Sequence, residues 1–352
     1  MIAEADVRFP DIPFRKTALL ILIGLVLYFG YLYLVGFSTV EEQIARVNPW
    51  LVALAILVSL CGNVFHTAGW WLLLRHMKYR ISLAWAYLIY LSSIFFTNLV
   101  PSAAVSGEIA KLYFIQKSVP NTRVDRTFAA GMMSRLLEII PTATGAILGV
   151  TYLTAYYSLP LWALVLCIVI AAAVGTVALF VLIISMNVTL LQSTANTALR
   201  VASKIFKGHN MDAIRDKVEV LVRQYEASIR EISASKVLIL ESLAMIFIAW
   251  ALDVSVAYVA FAAVGYNIPI GVVVTIYSMM VLVSLIPTFI PGGLGYVDGL
   301  MNLLYSLAGV SKNDAFSGTF VIRLVTLWFL TAVGGLCTLF LARATGKERP
   351  DK

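Results

Sequence analysis

Two stretches decide the fold of this chain, "TNLVPSAAVSGEIAKLYFI" (97–115) and "TFIPGGLGYVDGLMNLLYSL" (288–307). Each breaks an apolar segment with proline and small residues, and each places a carboxylate seven residues after the proline. Both the prolines and the carboxylates are 190 positions apart; the residues are Pro101, Glu108, Pro291 and Asp298. A lipid bilayer tolerates neither unpaired backbone nor a bare charge, so both breaks must pack against protein or line a polar cavity.

The composition is that of an integral membrane protein. The chain has 352 residues, of which 61% are hydrophobic and 13% charged, and its mean hydropathy is +0.90. Apolar runs long enough to cross ~30 Å of hydrocarbon lie at 17–37, 50–74, 128–154, 159–185, 237–262 and 316–342. Two further apolar regions, 82–117 and 270–309, contain the breaks. We therefore expect an all-α, polytopic protein with a single transmembrane domain over 1–352.

The distribution of positive charge predicts the topology. Of the 26 Lys and Arg residues, 22 lie in the two terminal segments and in the segments 75–80, 110–127 and 186–236. Cytoplasmic loops carry this excess, so we expect both termini in the cytoplasm of a cell with the protein in its plasma membrane. Region 82–117 then enters from the cytoplasm and 270–309 from outside. Charge counting leaves open whether these hairpins span fully or re-enter.

The segments around the hairpins follow the same logic. Residues 50–155 and 237–343 share the order and spacing of their segments but run in opposite directions, which predicts an inverted-topology repeat. Between them, 186–236 is polar and is expected to be a cytoplasmic amphipathic linker. Its apolar residues recur at helical spacing; they are Ile214, Val218, Leu221, Tyr225, Ile229 and Ile232.

Two arginines lie inside predicted spans, Arg135 and Arg323, 188 positions apart. An arginine at this depth must face protein, water or an anion. One interpretation is that each pairs with a hairpin carboxylate and pins the helices together. The other is that both face a central cavity and bind a phosphate, because the planar guanidinium can hold two phosphate oxygens at once.

The two hairpin carboxylates also have either a structural or a functional interpretation. Glu108 and Asp298 can neutralise the arginines and yield them to a ligand, take up protons, or serve structure alone. Lys111 lies three residues after Glu108, on the same face of a helix. Glu138 lies three residues after Arg135, which predicts an ion pair within one helix.

Three glycines and two polar residues complete the candidate site. In "PGGLG", Gly292, Gly293 and Gly295 permit positive φ and can present backbone amides to an anion, or can simply form the tip of a hairpin. Asp253 and His66 lie within spans, where they serve helix packing or, with Glu138, proton coupling.

Several functional classes are excluded by absent motifs. The chain has no G-x-x-x-x-G-K-[ST] loop for ATP, and its three histidines have no metal-ligand spacing, so we expect no cofactor and no metal. Its positive charges lie in short loops beside spans, which predicts no binding of nucleic acid.

The motifs together resemble one family. The segments "PSAAVSGEIAKLY" (101–113), "AAGMMSRLLEII" (129–140), "PGGLGYVDG" (291–299) and "FVIRLVTLW" (320–328) resemble the lysylphosphatidylglycerol synthase transmembrane family, also called flippase-like membrane proteins. By this resemblance Glu108, Arg135, the 291–295 loop and Arg323 match polar positions of the family. Lys111 stands where the family usually has arginine, and Asp298 replaces the usual glutamate.

The resemblance implies lipid transport. The expected function is a flippase or scramblase that moves a phospholipid or polyprenyl-phosphate-linked lipid between leaflets. The alternative is a membrane-embedded transferase or an accessory subunit of lipid or glycan synthesis; a small-anion transporter is a third candidate. An anionic lipid is thus the expected partner, with a second copy of the chain or a lipid- or glycan-synthesis enzyme as further candidates. The sequence favours a transporter over an enzyme because it has no soluble catalytic domain.

Overall fold

The computed structural model describes residues 47–100, 105–120, 122–157, 211–284 and 291–346, with isolated positions between 158 and 210. All regular structure in these ranges is helical. In chain order the helices are α1 Pro49–His76, α2 Leu83–Leu99, α3 Val105–Ser118, α4 Val124–Tyr156, α5 Met211–Ala234, α6 Lys236–Ala263, α7 Ile270–Ser284, α8 Tyr296–Leu307, α9 Lys312–Arg323 and α10 Leu330–Gly346. A 3-10 turn (Pro291–Gly293) precedes α8, and a π-helical stretch (Leu324–Phe329) joins α9 to α10.

Four helices are long and apolar enough to cross a membrane: α1, α4, α6 and the continuous run Lys312–Thr345. They coincide with the spans predicted at 50–74, 128–154, 237–262 and 316–342. The prediction of an all-α polytopic membrane protein is confirmed. The spans predicted at 17–37 and 159–185 lie outside the described residues.

Polar caps fix where several helices begin. The Asn48 side chain accepts hydrogen bonds from the amides of Trp50 and Leu51, and Pro49 occupies the first turn of α1, where its missing N–H costs nothing. Serine hydroxyls cap three further helices in the same way; they are Ser82 for α2, Ser235 for α6 and Ser311 for α9. These short polar signals separate apolar segments that periodicity alone would run together.

Both broken regions are pairs of short helices. The first pair is α2 and α3, and the second is α7 and α8. Helix α2 has 17 residues and α7 has 15, fewer than the ~20 that a helix along the bilayer normal needs. The interruptions themselves, 101–104 with Pro101 and 285–290, lie outside the described residues. The order long, short, short, long therefore occurs twice along the chain.

The two leading long helices, α1 and α6, pack antiparallel. At one end the Asn48 amide donates to the Ala263 carbonyl at 2.8 Å. Near the other end Gly69 lies against Ile246, where an added Cβ would come within 2.9 Å of the isoleucine side chain. Because residue numbers rise along one helix as they fall along the other, the start of α1 and the end of α6 lie at the same face of the molecule.

Each short leading helix packs on the long helix of the other half. Helix α2 lies against α10, where Ser92 and Thr338 hydroxyls are 2.7 Å apart and the Asn98 amide donates to Thr331 at 2.8 Å. This pair is also antiparallel. The hydroxyl and amide contacts hold the two halves together in an apolar medium, where polar groups between helices need a partner.

Helix α7 lies against α4 in the same antiparallel manner. Here "GAILG" provides the contact: Gly145 lies against Ser278 and Gly149 against Thr275, so closely that neither glycine has room for a Cβ. Glycines four apart lie on one face of a helix and let a neighbouring backbone approach. This close packing is the function expected of small residues at that spacing.

Helix α5 attaches to the beginning of α4. Its side chains Tyr225, Ile229 and Ile232 are buried against the core that includes α1 and α4. The Arg126 guanidinium on α4 reaches the Glu231 carboxylate at 3.3 Å. The apolar face of the polar segment 186–236 is therefore covered by protein at these positions.

Candidate functional site

The first polar cluster forms around Glu108, in the first turn of α3. Its Oε1 accepts hydrogen bonds from Nε of Arg135 on α4 and from Nζ of Lys111, both at 2.9 Å. Gly131, one turn before Arg135, makes room for the carboxylate, because a Cβ there would overlap Oε2 of Glu108. One buried carboxylate thus neutralises two cations from two helices.

Lys111 is enclosed by aromatic rings as well as by its carboxylate. Its side chain is only 2% exposed. The ammonium lies 4.7 Å from the ring centre of Tyr90 and 5.2 Å from that of Trp70. The negative faces of such rings stabilise a desolvated cation. Lys111 is therefore a fixed structural charge of this cluster, closed off from a ligand in this conformation.

From Arg135 the cluster continues toward the second half of the molecule. Nη1 of Arg135 donates to Oε2 of Glu138 at 3.1 Å, which is the ion pair that the sequence predicts. His66 on α1 follows: its Nδ1 is 3.7 Å from Oε1 of Glu138, and its Nε2 is 2.9 Å from Oδ2 of Asp253 on α6. The Tyr277 hydroxyl on α7 donates to the same aspartate oxygen at 3.1 Å.

One link of this chain is open. His66 Nδ1 and Glu138 Oε1 are both buried, and neither has a hydrogen-bond partner among the described residues. At 3.7 Å they face each other just beyond hydrogen-bond distance. Buried polar atoms without partners are costly, and while neither atom carries a proton the two are acceptors that cannot bond to each other. A proton on either atom would complete the link between Arg135 and Asp253.

The second polar cluster forms where α8 begins. Arg323, at the end of α9, places its Nε 2.8 Å from Oδ1 of Asp298 in an ionic contact. The other oxygen of Asp298 accepts the backbone N–H of Gly295 at 2.8 Å, which caps α8. Arg323 also donates through Nη2 to the carbonyl of Gly292. The arginine is thereby tied to both the start of α8 and the glycine loop.

The glycine loop needs its glycines for the backbone. Gly292, Gly293 and Gly295 have φ of 58°, 66° and 82°, values that residues with a Cβ rarely adopt. At Gly292 a Cβ would also come within 2.7 Å of Leu327 and close to the carbonyl of Asn98 at the end of α2. The loop therefore lies against the first broken region. In this conformation the Gly295 amide is occupied by Asp298 and is not presented to an anion.

The helices that carry Arg135 and Arg323 each have an interrupted hydrogen-bond ladder near the arginine. The π-helical stretch Leu324–Phe329 begins directly after Arg323, and Pro141 lies inside α4 six residues after Arg135. A π turn and an internal proline each interrupt the regular hydrogen-bond ladder. Such interruptions are frequent at functional sites and allow local bending.

An apolar cavity lies beside the second cluster. It has a volume of about 360 Å³ and extends between α2, the glycine loop and the π–α10 segment. Its lining is Phe95, Asn98, Leu99, Pro291, Gly292, Leu294, Leu327, Trp328, Thr331, Ala332, Gly335, Leu336 and Leu339. Leu336 is 67% exposed, so the cavity opens onto the outer, apolar surface of α10. Gly292 belongs both to this lining and to the contacts of Arg323.

The structure thus brings the predicted site residues into two groups. Glu108, Lys111, Arg135, Glu138, His66 and Asp253 form one continuous cluster. Asp298, Arg323 and the glycine loop form the other. Each arginine is paired with the carboxylate of its own hairpin. Among the described residues no group of three or more His, Cys, Asp or Glu side chains is arranged to hold a metal ion.

The aromatic members of the first cluster were not predicted from the sequence. Tyr277, Tyr90 and Trp70 lie in apolar helices, where an aromatic residue is ordinary packing. Each of them faces a residue that was predicted to belong to the site, but only the fold shows this proximity, so the sequence offered no signal. The cavity was missed too, because a gap between α2 and α10 depends on how distant segments pack.

Comparison with known proteins identifies the class of molecule. The model of the family described as "Lysylphosphatidylglycerol synthase TM region" matches residues 17–334. A UPF0104 membrane protein of Methanothermobacter thermautotrophicus is 25% identical over 96% of this chain and 99% of its own length. A UPF0104 membrane protein of Pyrococcus horikoshii is 25% identical over 92% of this chain and 97% of its own. No solved structure matches significantly.

Proposed function

This chain belongs to the family of the lysylphosphatidylglycerol synthase transmembrane region, and on that premise we propose that it moves a phosphate-bearing lipid between the leaflets of a membrane. The proposed cargo is a phospholipid or a polyprenyl-phosphate-linked lipid. The proposed location is the plasma membrane, with both termini in the cytoplasm.

The observation that carries the proposal is the adjacency of an anion-binding group and an apolar cavity. Arg323 contacts Gly292, and Gly292 lines the cavity of about 360 Å³ that opens beside Leu336. A lipid has this same division between a charged head group and an apolar chain. The phosphate would lie at Arg323 while an acyl or prenyl chain occupies the cavity and continues into the bilayer.

The head group would bind by exchange. Arg323 is neutralised by Asp298, and Arg135 by Glu108, so neither guanidinium is a bare charge in the membrane. A phosphate offers a guanidinium the same paired oxygens as a carboxylate and can replace it. The two arginine–carboxylate pairs would therefore serve as successive binding positions, with the displaced carboxylate free to take up a proton.

Alternating access would follow from an inverted repeat of 50–155 and 237–343. The inverted repeat is supported by the antiparallel packing of α1 on α6. It is also supported by the packing of a short helix of each half on a long helix of the other half, α2 on α10 and α7 on α4. In such an arrangement one half rocks against the other around a central site. The hairpins 82–117 and 270–309 would then enter the membrane from opposite faces.

The neighbouring side chains of His66, Asp253 and Glu138 would couple the movement of the lipid to the movement of protons. These three residues connect α1, α4 and α6, and Tyr277 adds α7. Chains of His, Asp and Glu within spans commonly relay protons in transporters. Protonation of His66 or Glu138 would allow the two side chains to form the missing hydrogen bond. Uptake of the proton would then depend on how close α1, which carries His66, lies to α4, which carries Glu138.

Transport in proteoliposomes tests the proposal. We expect Arg323→Gln and Arg135→Gln each to lower the movement of a fluorescent phosphatidylglycerol analogue by tenfold or more, since each removes a phosphate contact worth about 1.4 kcal/mol. Arg230→Gln is the matched control, because Arg230 is 79% exposed and its ion pair among the described residues is with Glu226, one turn away on the same helix. Full activity of both Arg323→Gln and Arg135→Gln, with the helical content unchanged, would exclude the phosphate exchange.

The same preparation tests the alternative of an embedded transferase. The partly buried, hydrogen-bonded pair of His66 and Asp253 is the arrangement that a general base would use. Mass spectrometry of the lipid after incubation separates the two functions. A lipid of unchanged mass on the opposite leaflet supports transport, and a covalently altered lipid supports catalysis.

A further inference from the structure

A second pocket lies away from both clusters, where two loops meet. It has a volume of about 320 Å³ and lies between the end of α1 and the beginning of α4. Its lining contains four basic residues and no acidic one; the residues are Met77, Lys78, Tyr79, Arg80, Val119, Pro120, Arg123 and Arg126. A concave surface with this composition attracts anions.

The two loops are locked together by Tyr79. The side chain is only 8% exposed, and its hydroxyl both donates to the Arg123 carbonyl at 3.0 Å and accepts the Arg123 amide at 3.1 Å. Burial raises the pKa of Tyr79 above its ordinary value, so the phenol stays protonated and both bonds persist at physiological pH. The pocket is therefore preformed.

Lys78 occupies a backbone position that favours glycine. It follows the C-cap Met77 with a φ of 66°, and its amide closes the helix end on Arg75. The described residues contain no other non-glycine residue with positive φ. Left-handed backbone is unfavourable for a residue with a Cβ, and glycine is the usual residue at this position. The lysine side chain is retained here against that cost, which indicates a use for its charge.

The charges of the pocket are only half compensated. Arg123 contacts Asp125 at 3.1 Å, and Arg126 contacts Glu231 at 3.3 Å. Lys78 and Arg80 are exposed, and the described part of the chain pairs neither with an acid. Helix α4 also begins at this rim without a side-chain cap, which adds the partial positive charge of its first amides.

We propose that this pocket binds the phosphate group of an anionic ligand, separately from the transport site. Lys78 and Arg80 supply the net charge, while Arg123 and Arg126 hold the rim in place. A bound phosphate would join the loop that precedes α2 to the beginning of α4, the helix that carries Arg135. The same chemistry comes from a lipid head group or from a soluble phosphate ester, and basic pockets at the cytoplasmic ends of spans commonly bind anionic head groups.

Binding to the full chain in phosphatidylcholine nanodiscs tests this site. One arm titrates dioctanoyl phosphatidate and the other glycerol 3-phosphate, which has no chains to enter the apolar cavity. We expect the double variant Lys78→Gln with Arg80→Gln to bind at least about tenfold more weakly in whichever arm is saturable. The control pair, Arg230→Gln with Lys236→Gln, removes two exposed charges from α5 and the beginning of α6 and should bind like the unmodified protein.

A single variant keeps the test independent of folding. Glycine suits the positive φ at position 78, so Lys78→Gly should raise the melting temperature while it weakens binding. If Lys78 served the structure alone, the variant would not combine weaker binding with a higher melting temperature. Saturable binding of phosphatidate alone identifies a lipid head group, and binding of both ligands shows that phosphate suffices. Binding of neither ligand, or equal weakening by the control pair, would overturn the site.

Discussion

At the scale of residues, Glu108 is the carboxylate of the first cluster that compensates two cations. A single oxygen accepts from both Lys111 and Arg135. Lys111 is almost fully buried and has aromatic rings around it, so it cannot turn to solvent if the carboxylate is lost. Arg135 in contrast keeps Glu138 as a second partner. The two cations therefore depend on Glu108 unequally.

This dependence predicts an order of stability. Glu108→Gln should lower the free energy of unfolding by about 3–5 kcal/mol, because it leaves a buried ammonium uncompensated. Lys111→Met should cost clearly less, since Glu108 remains paired with Arg135 and the methionine fills the aromatic enclosure. Thermal unfolding of both variants in detergent measures the difference. Equal losses, or a larger loss for Lys111→Met, would show that the carboxylate is not the shared support.

The spacing of residues predicted the local contacts but not the distant ones. The ion pairs of Glu108 with Lys111 and of Arg135 with Glu138 form because residues three positions apart lie on the same face of a helix. The pairing of His66 with Asp253 joins residues 187 positions apart, and no local period encodes it. It arises from the antiparallel packing of α1 and α6, so both residues were visible as polar groups within spans, while their contact was not.

At the scale of elements, the glycine loop and the π-helical stretch act as one unit. Gly292 packs on Leu327 of the π stretch, and Arg323 at its start donates to the Gly292 carbonyl. The loop position therefore depends on both the positive φ of Gly292 and the space beside it. The "PGGLG" motif predicted the first requirement. The sequence "LVTLWF" did not predict the π turns.

Two glycine variants separate these requirements. Gly309 also has a positive φ, 86°, but an added Cβ there meets nothing within 4 Å. Gly309→Ala should therefore cost only the strain of left-handed backbone, about 1–2 kcal/mol. Gly292→Ala should cost more and also reduce lipid movement, since the new methyl group collides with Leu327 and displaces the loop from Arg323. Melting temperatures and the proteoliposome assay together check this; similar behaviour of the two variants would contradict it.

At the scale of the whole molecule, the halves are interlocked. The leading short helix of each half packs on the closing long helix of the other, through Asn98 and Thr331 on one side and Gly149 and Thr275 on the other. Hydropathy predicted the long spans, while the side of the membrane that the charge distribution assigns to each loop stays a prediction. Which helices touch could not be predicted, because in lipid every face of a span is apolar and packing depends on small residues and rare polar contacts.

The interlocked halves predict which loops share a side of the membrane. After replacement of Cys61, Cys167 and Cys337, single cysteines at exposed loop positions report their side through an impermeant maleimide. We expect His76→Cys and Lys117→Cys to react only from the cytoplasm, and Asn267→Cys and Lys312→Cys only from outside. Labelling of all four positions from one side would contradict the inverted arrangement of the hairpins.

The most direct test of the central claim is a cryo-electron microscopy map of the protein with phosphatidylglycerol in nanodiscs. We expect an acyl chain in the cavity beside Leu99, Gly292 and Leu336, and a phosphate that contacts Arg323 in place of Asp298. A map in which bound lipid leaves this cavity empty, with Arg323 still paired to Asp298, would contradict it.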